Sequence, residues 1–186
     1  SYVVSEKEYR KVLAESESLI VEGAQGFSLS MYHGFYPFTT SRDVTPWQIA
    51  ADCGLPFKWV SYAQVIGTLR TFPIRVNNRD GSSGPGYGDQ REIEWNDIGI
   101  APELTTVTKL PRRLFEFSHE QYQQALWHCG GYWNTKLFLN FANYMATDKV
   151  YELADKLETA TALNPNAAKV EWLGWGPDDS NVEKRG

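Results

Sequence analysis

A run of small and amide residues follows a short apolar triplet near the amino end: Leu19-Ile20-Val21, then Glu22-Gly23-Ala24-Gln25-Gly26. Small residues let backbone N–H groups approach a bound molecule closely, and the Gln25 carboxamide can both donate and accept a hydrogen bond. A ligand bearing a phosphate and a polar ring would suit such a turn. Alone, the glycines are explained by an ordinary strand-to-loop connection. The segment continues, however, through His33-Gly34-Phe35-Tyr36-Pro37-Phe38-Thr39-Thr40-Ser41-Arg42-Asp43, so that amide, imidazole and hydroxyl groups crowd one stretch of chain.

Together these two blocks resemble the adenylosuccinate synthetase family, whose members carry a closely similar EGAQG turn and an HGxYPF(V/T)TS segment at the same spacing from Gln25 to Thr40. Gly26-Phe27-Ser28-Leu29-Ser30-Met31-Tyr32 has serine and tyrosine where the common bacterial and eukaryotic enzymes carry aspartates. It is more similar to the short archaeal-type enzymes and to the phage relatives that make 2-aminoadenylosuccinate precursors. Val65 to Val76 and Glu103 to Phe117 support the same branch. The resemblance covers nearly the whole chain but only the carboxyl-terminal half of the family's pattern. The amino-terminal half, which in the family holds the phosphate loop, the catalytic acid–base pair and the magnesium site, has no counterpart here. No Gly-x-x-x-x-Gly-Lys-[Ser/Thr] segment occurs, and the cluster Gly81-Ser82-Ser83-Gly84-Pro85-Gly86-Tyr87-Gly88 lacks the lysine at a helix start.

The resemblance implies chemistry in which the 6-oxygen of a purine mononucleotide is phosphorylated and aspartate then displaces that phosphate, a reaction carried mainly by positioning and electrostatics. Gln25 and Thr40 match mononucleotide-contacting positions, though each can instead satisfy neighbouring backbone groups. Val76 follows the family's TRV segment. Arg75 beside it reads either as a phosphate clamp or as an ordinary salt-bridge partner. For aspartate, Thr106, Thr108 and Arg112 align with threonines and an arginine of the family's carboxylate loop, where the planar guanidinium fork suits two oxygens together. Leu110 stands where another arginine is usual, and Lys109 replaces the preceding glycine. Lys109 supplies charge but no fork, and the bland reading is an exposed basic turn.

Leu139-Asn140-Phe141-Ala142-Asn143 falls where GTP-using relatives have Leu-Thr-Lys-Leu-Asp. A carboxylate there selects guanine. Asn143 instead offers a donor and an acceptor matching adenine, and Phe141 offers apolar stacking surface. ATP or dATP is therefore expected over GTP, unless donor specificity has been lost. Gly176 and Pro177 match the family's last base wall. No catalytic residue and no metal ligand is expected on this chain. Mg²⁺ would be held by the other half, and His33 orients its loop. His119 and His128 read as surface or packing residues.

At 186 residues, with 42% hydrophobic and 14% aromatic content, the chain can bury a core as a single domain, 1–186. A net charge of −5 argues against sequence-independent nucleic-acid binding. No apolar run spans a bilayer and the amino end is too charged for a signal peptide, which suggests a cytoplasmic setting, the host's if the source is a phage. Cys53 and Cys129 are too few for a disulfide framework.

The elements that must hold these residues alternate. Ser5 to Ser16 reads as a helix opened by a capping box, Leu19–Val21 as a strand, and Thr45–Cys53 as a helix with Thr45 as cap and Pro46 in its first turn. Tyr62–Arg75 reads as one long strand, at an edge near Pro73. Residues 77–91 read as a flexible loop and Thr105–Lys109 as β-prone. Ser118–Cys129 is expected to be a helix, Thr135–Asn143 a buried strand, Asp148–Ala162 a helix ended by Asn164-Pro165, and Val170–Gly174 the last strand before a polar tail, 178–186. The sum is α/β, a mixed, partly parallel sheet flanked by helices.

Three functions fit this sequence. The first is the substrate-binding half of a C–N ligase joining aspartate to C6 of dGMP or IMP, associated with a phosphate-loop half or as a homodimer. The second is a non-catalytic purine-nucleotide-binding module, and the third a structural subunit.

Overall fold

The computed structural model describes residues 3–79, 82–130, 135–159 and 168–185. Helix α1 (Glu6–Glu15) opens with the capping box, Glu8 N–H donating to Ser5 Oγ at 3.3 Å and Ser5 N–H to the Glu8 carboxylate at 2.8 Å. None of its residues is buried; Tyr9 ties it to the rest through a 2.5 Å bond from its hydroxyl to the Cys53 carbonyl. Helix α2 (Pro46–Asp52) has Thr45 as its cap, as its sequence implies, and a further short helix, α3 (Phe57–Tyr62), follows.

The main sheet runs β1 (Val65–Arg70), β5 (Thr135–Asn140), β6 (Lys169–Gly174) and β7 (Val182–Lys184) in the order β1-β5-β6-β7. The first three are parallel and β7 is antiparallel, so the α/β class with a partly parallel sheet is what the chain adopts. A smaller antiparallel sheet, β2-β4-β3, is made of β2 (Ile74–Arg75), β4 (Arg113–Phe115) and β3 (Glu92–Ile93). Helix α4 (His119–His128) is capped by Ser118, whose hydroxyl accepts from Gln121 N–H at 2.9 Å, a contact worth about 1 kcal/mol. Helix α5 (Thr147–Thr159) buries Val150, Leu153, Ala154 and Leu157, one stripe at helical spacing, against Leu137, Leu139, Val170 and Leu173 of the sheet.

Several expectations are revised. Leu19-Ile20-Val21 forms no strand; Ile20 is 92% exposed, and three apolar residues without a pairing partner do not specify one. The expected strand Tyr62–Arg75 is three pieces: the end of α3, then β1, then β2. The break lies at Thr71-Phe72-Pro73, where the chain leaves one sheet for the other, and β2 is indeed an edge, as the proline suggests. Thr105–Lys109 is a turn closed by the Leu104–Pro111 bridge rather than a strand. Within 77–91, Ser83 and Tyr87 are buried and Arg75 and Arg113 donate to its carbonyls, so the described part of that loop is packed. The polar tail is structural: Val182, Glu183 and Lys184 pair with Gly174, Leu173 and Trp172. The expected end of α5 at Asn164-Pro165 lies outside the described residues. No helix among the described residues is long and apolar enough to cross a membrane, and both cysteines are free. Burial, then the Asp43 charge, push the Cys129 thiol up to about 11.

Candidate functional site

In an open sheet with parallel strands, the crevice forms beyond their carboxyl ends. Here Arg70-Thr71, Asn140-Phe141 and Gly174 to Pro177 gather at that edge. Phe141 adopts a left-handed backbone, φ 59°, which for a side chain this large must be held from outside. Thr71, fully buried, donates its hydroxyl to the Phe141 carbonyl at 2.6 Å, and the Arg70 guanidinium lies 3.4 Å from the ring centroid. Asn143 sits exposed on the 3-10 turn Ala142–Tyr144 that follows. A Cβ on Gly174 would overlap Asn140 Oδ1 and lie 3.1 Å from Phe138 Cε2, so a larger residue there would displace the Asn140 side chain. Gly176 and the exposed Pro177 follow Trp175, whose indole N–H donates to Glu183 at 2.9 Å and whose backbone N–H donates to Asn181 at 2.9 Å. All four expected base-wall residues, Phe141, Asn143, Gly176 and Pro177, therefore follow the ends of adjacent parallel strands.

The hairpin from Glu103 to Arg112 is stapled by Arg112 N–H to the Glu103 carbonyl (2.8 Å) and Thr105 N–H to the Leu110 carbonyl (2.9 Å). Thr105 is buried and bonds the Thr108 hydroxyl at 2.5 Å, so Thr108 is half-buried and engaged inside the turn while Thr106 projects outward. Lys109 has φ 56°, a left-handed conformation that a glycine adopts without strain and a lysine reaches at a cost of roughly 1 kcal/mol. Leu110 N–H donates to Thr105 Oγ1 at 3.0 Å. The Arg112 carbonyl accepts from the buried Trp95 indole at 2.7 Å, and Arg112 as a whole is half-buried at the hairpin base.

The third group surrounds Arg75. Its guanidinium donates to the Pro85 carbonyl at 2.6 Å and the Phe38 carbonyl at 3.4 Å, joining the Thr40 loop to the glycine-rich loop. Arg75 has no carboxylate partner among the described residues. Burial, then the charge of Arg113, which pairs with it across β2 and β4, lower its pKa. Arg113 itself is committed to Glu92 and to Ser83 and Gly84. Gly84 is required there: its φ is +101°, and a Cβ would lie 2.9 Å from Phe38 Cβ and 3.0 Å from the Arg75 guanidinium. Thr40 is half-buried, its N–H bonded to the Leu29 carbonyl at 2.8 Å, and Val76 is exposed beside Arg75. Gln25 is exposed at φ 76° on the Gly23–Gly26 turn. His33 packs in a triangle of rings with Phe27 (5.4 Å) and His128 (4.0 Å), which lie 5.7 Å from each other, an arrangement that fixes its loop.

A family model described as adenylosuccinate synthetase matches residues 1–131. The chain belongs to the adenylosuccinate synthetase family. It is 46% identical over 188 residues to the N6-succino-2-amino-2'-deoxyadenylate synthase of Acinetobacter phage SH-Ab 15497, covering 97% of this chain and 46% of that one. The enzyme of the same name from Vibrio phage phiVC8 is 44% identical over 184 residues, 99% of this chain and 51% of its own. The solved cyanophage S-2L succinoaminodeoxyadenylate synthetase, bound to dGMP and to dATP as an energy donor, superposes with a TM-score of 0.87 at 41% identity, covering 98% of this chain and 50% of that one. The chain thus spans about half the length of these relatives.

Reading the adenylosuccinate synthetase motifs alone passes over the residues that support them. Arg70 and Glu103 sit inside the blocks Val65 to Val76 and Glu103 to Phe117 without an expected role, and Trp95, Tyr144 and Glu183 lie outside every block, yet these five hold Phe141, the hairpin and Trp175 in place. No spacing rule links Arg70 to Glu103 across 33 residues. The alternation in Val182-Glu183-Lys184 is the one sequence signal for β7, and it is too short to stand out.

Proposed function

We propose that this chain supplies the substrate-binding half of a C–N ligase that joins aspartate to C6 of dGMP with ATP or dATP as donor. The carrying observation is that the base-wall residues Phe141, Asn143, Gly176 and Pro177 converge at the strand ends of a fold that superposes on the dGMP- and dATP-bound cyanophage enzyme. In this reading Gln25 reads the purine edge from the glycine turn. Thr40 and Arg75 face the mononucleotide phosphate, with Val76 against the sugar. Arg112, aided by Lys109 and the threonine hydroxyls of Thr106 and Thr108, receives the aspartate carboxylates. These groups orient the amine toward C6 and supply fixed donors where anionic charge gathers. Asn143 accepts from and donates to an adenine edge, and Phe141 stacks beneath it. Among the described residues no group of three His, Cys, Asp or Glu is arranged to hold a metal ion.

The test mixes the full chain with dGMP, aspartate and ATP, dATP or GTP, alone and with the remaining half of a phage relative in trans. Ligand binding is followed by calorimetry and the succinyl product by mass spectrometry. Gln25→Ala is expected to weaken dGMP binding about tenfold, the equivalent of one hydrogen bond. Unchanged dGMP binding in that variant defeats the site assignment. Turnover with GTP but not ATP defeats the reading of Asn143, and binding without turnover in every mixture favours a nucleotide-binding module.

A further inference from the structure

Glu103 lies in neither ligand-facing set, yet its contacts reach both. Its carbonyl accepts from Arg112 N–H at the base of the hairpin, and its carboxylate takes the Arg70 guanidinium and the Tyr144 hydroxyl, the latter at 3.2 Å. Arg70 covers the Phe141 ring. Tyr144 meets Phe141 edge-on at 5.2 Å and Trp95 edge-on at 6.4 Å, and Trp95 returns to the hairpin through the Arg112 carbonyl. The contacts close on themselves: hairpin base, Glu103, Arg70, Phe141, Tyr144, Trp95, hairpin base. The ion pair at its centre is largely shielded, with side-chain exposures of 22% and 27%, so breaking it leaves two poorly solvated charges. A shift of the 141–144 turn must therefore carry Arg70, and with it the hairpin.

We infer that Glu103 is a positioning residue that couples the base wall to the carboxylate hairpin, so that a purine nucleotide held at Phe141 and Asn143 raises the affinity for a dicarboxylic amino acid at Thr106, Lys109 and Arg112. This rests on the assignment of those two ligand classes made above. The physical route is ordering: the first ligand fixes the shared circuit, and the second no longer bears that cost. Linkage makes the effect reciprocal. Substitution of Glu103 leaves the ligand-facing groups in place and opens the circuit at its ion pair, where the strongest link is, leaving only the Tyr144 and Trp95 ring contacts.

The experiment measures the affinity of the full chain for ATP by calorimetry, with and without saturating L-aspartate. The wild-type chain is expected to bind ATP about fivefold or more tightly when aspartate is present. Glu103→Gln is expected to bring that ratio to within about twofold while leaving affinity for ATP alone within about twofold, a split that simple loss of structure does not give. Arg70→Lys, which keeps the charge but loses the planar stack, should also lose the coupling. A wild-type chain without coupling, or a Glu103→Gln chain that retains it, overturns the inference. A second measurement needs no ligand. Amide exchange at Thr105, Lys109 and Leu110, all bonded within the hairpin, is expected to quicken about fivefold or more in Phe141→Leu, with Leu137 and Leu173 unchanged. Unchanged hairpin exchange overturns the inference as well. If neither ATP nor aspartate binds, the ligand assignment fails, and the exchange result alone decides whether the circuit transmits.

Discussion

Replacing Thr71 by valine isolates what holds the base wall in shape. The side chain is fully buried, and its hydroxyl gives the carbonyl of the left-handed Phe141 a 2.6 Å bond from β1, beside the local 3.0 Å bond from Tyr144 N–H. Valine keeps the volume and removes the donor. The Phe141 carbonyl keeps its second donor, Tyr144 N–H at 3.0 Å, so the valine removes one hydrogen bond worth about 1 kcal/mol, and the strained Phe141 backbone loses an anchor worth about 1 kcal/mol more, so a loss near 2 kcal/mol is expected. Serine is the control: it keeps the bond and removes one buried methyl, worth about 1 kcal/mol. With a urea dependence of about 2 kcal/mol per molar, the midpoint should fall by roughly 1 M for Thr71→Val and roughly 0.5 M for Thr71→Ser. In parallel, calorimetric titration with ATP should show several-fold weaker binding to the valine variant and near-normal binding to the serine variant. A valine variant as stable as the serine one, with unchanged ATP affinity, refutes the reasoning: the Phe141 turn would then be self-supporting.

Two further outcomes follow from the structure. Glu183→Ala removes the acceptor of both the Trp175 indole and the Tyr151 hydroxyl, so Trp175 should move, visible as a shift in tryptophan emission, and ATP binding should weaken more than dGMP binding. The Arg113 hydrogen bonds hold the Glu92 carboxyl below its ordinary 4.5, against a smaller upward push from burial. Because the folded value is the lower one, the pair's contribution is present above the ordinary carboxylate range and is lost as pH falls through the depressed value. Thermal melts taken downward from about pH 5 should therefore decline less steeply for Glu92→Gln than for the wild-type chain.

The capped helices were readable because their signals are local: Ser5 with Glu8, Thr45 with Pro46, and Ser118 with Gln121 each act within one turn. The stripe Val150, Leu153, Ala154, Leu157 was readable for the same reason. What escaped depended on distant partners. Leu19-Ile20-Val21 has strand composition but no strand to pair with among the described residues, whereas Val182-Glu183-Lys184 has little apolar content and becomes a strand because β6 offers a free edge. The break at Thr71 is set by Phe141, whose carbonyl no local pattern announces. At the candidate site, the motif blocks carry the expected binding positions, and in the fold these fall on the strand ends and the hairpin. Arg70 and Glu103 lie within those blocks, but nothing announces that they pair, because a shielded ion pair between distant segments leaves no periodicity behind.

The parallel pairing of β1 with β5 also bears on how the molecule comes together. Val65 and Thr135 are register partners, and Thr71 reaches Phe141 across 70 residues, so this edge closes only after a long loop has been drawn in. Strands β5 and β6 and helix α5 are near neighbours in sequence, and β7 is close behind. Short-range contacts form fastest, and pairings of high sequence separation are slow. The carboxyl-terminal unit is thus the natural nucleus, with β1 docking onto it late. Arg70 and Thr71 arrive with β1, so the wall around Phe141 acquires its support only in the last stage of folding.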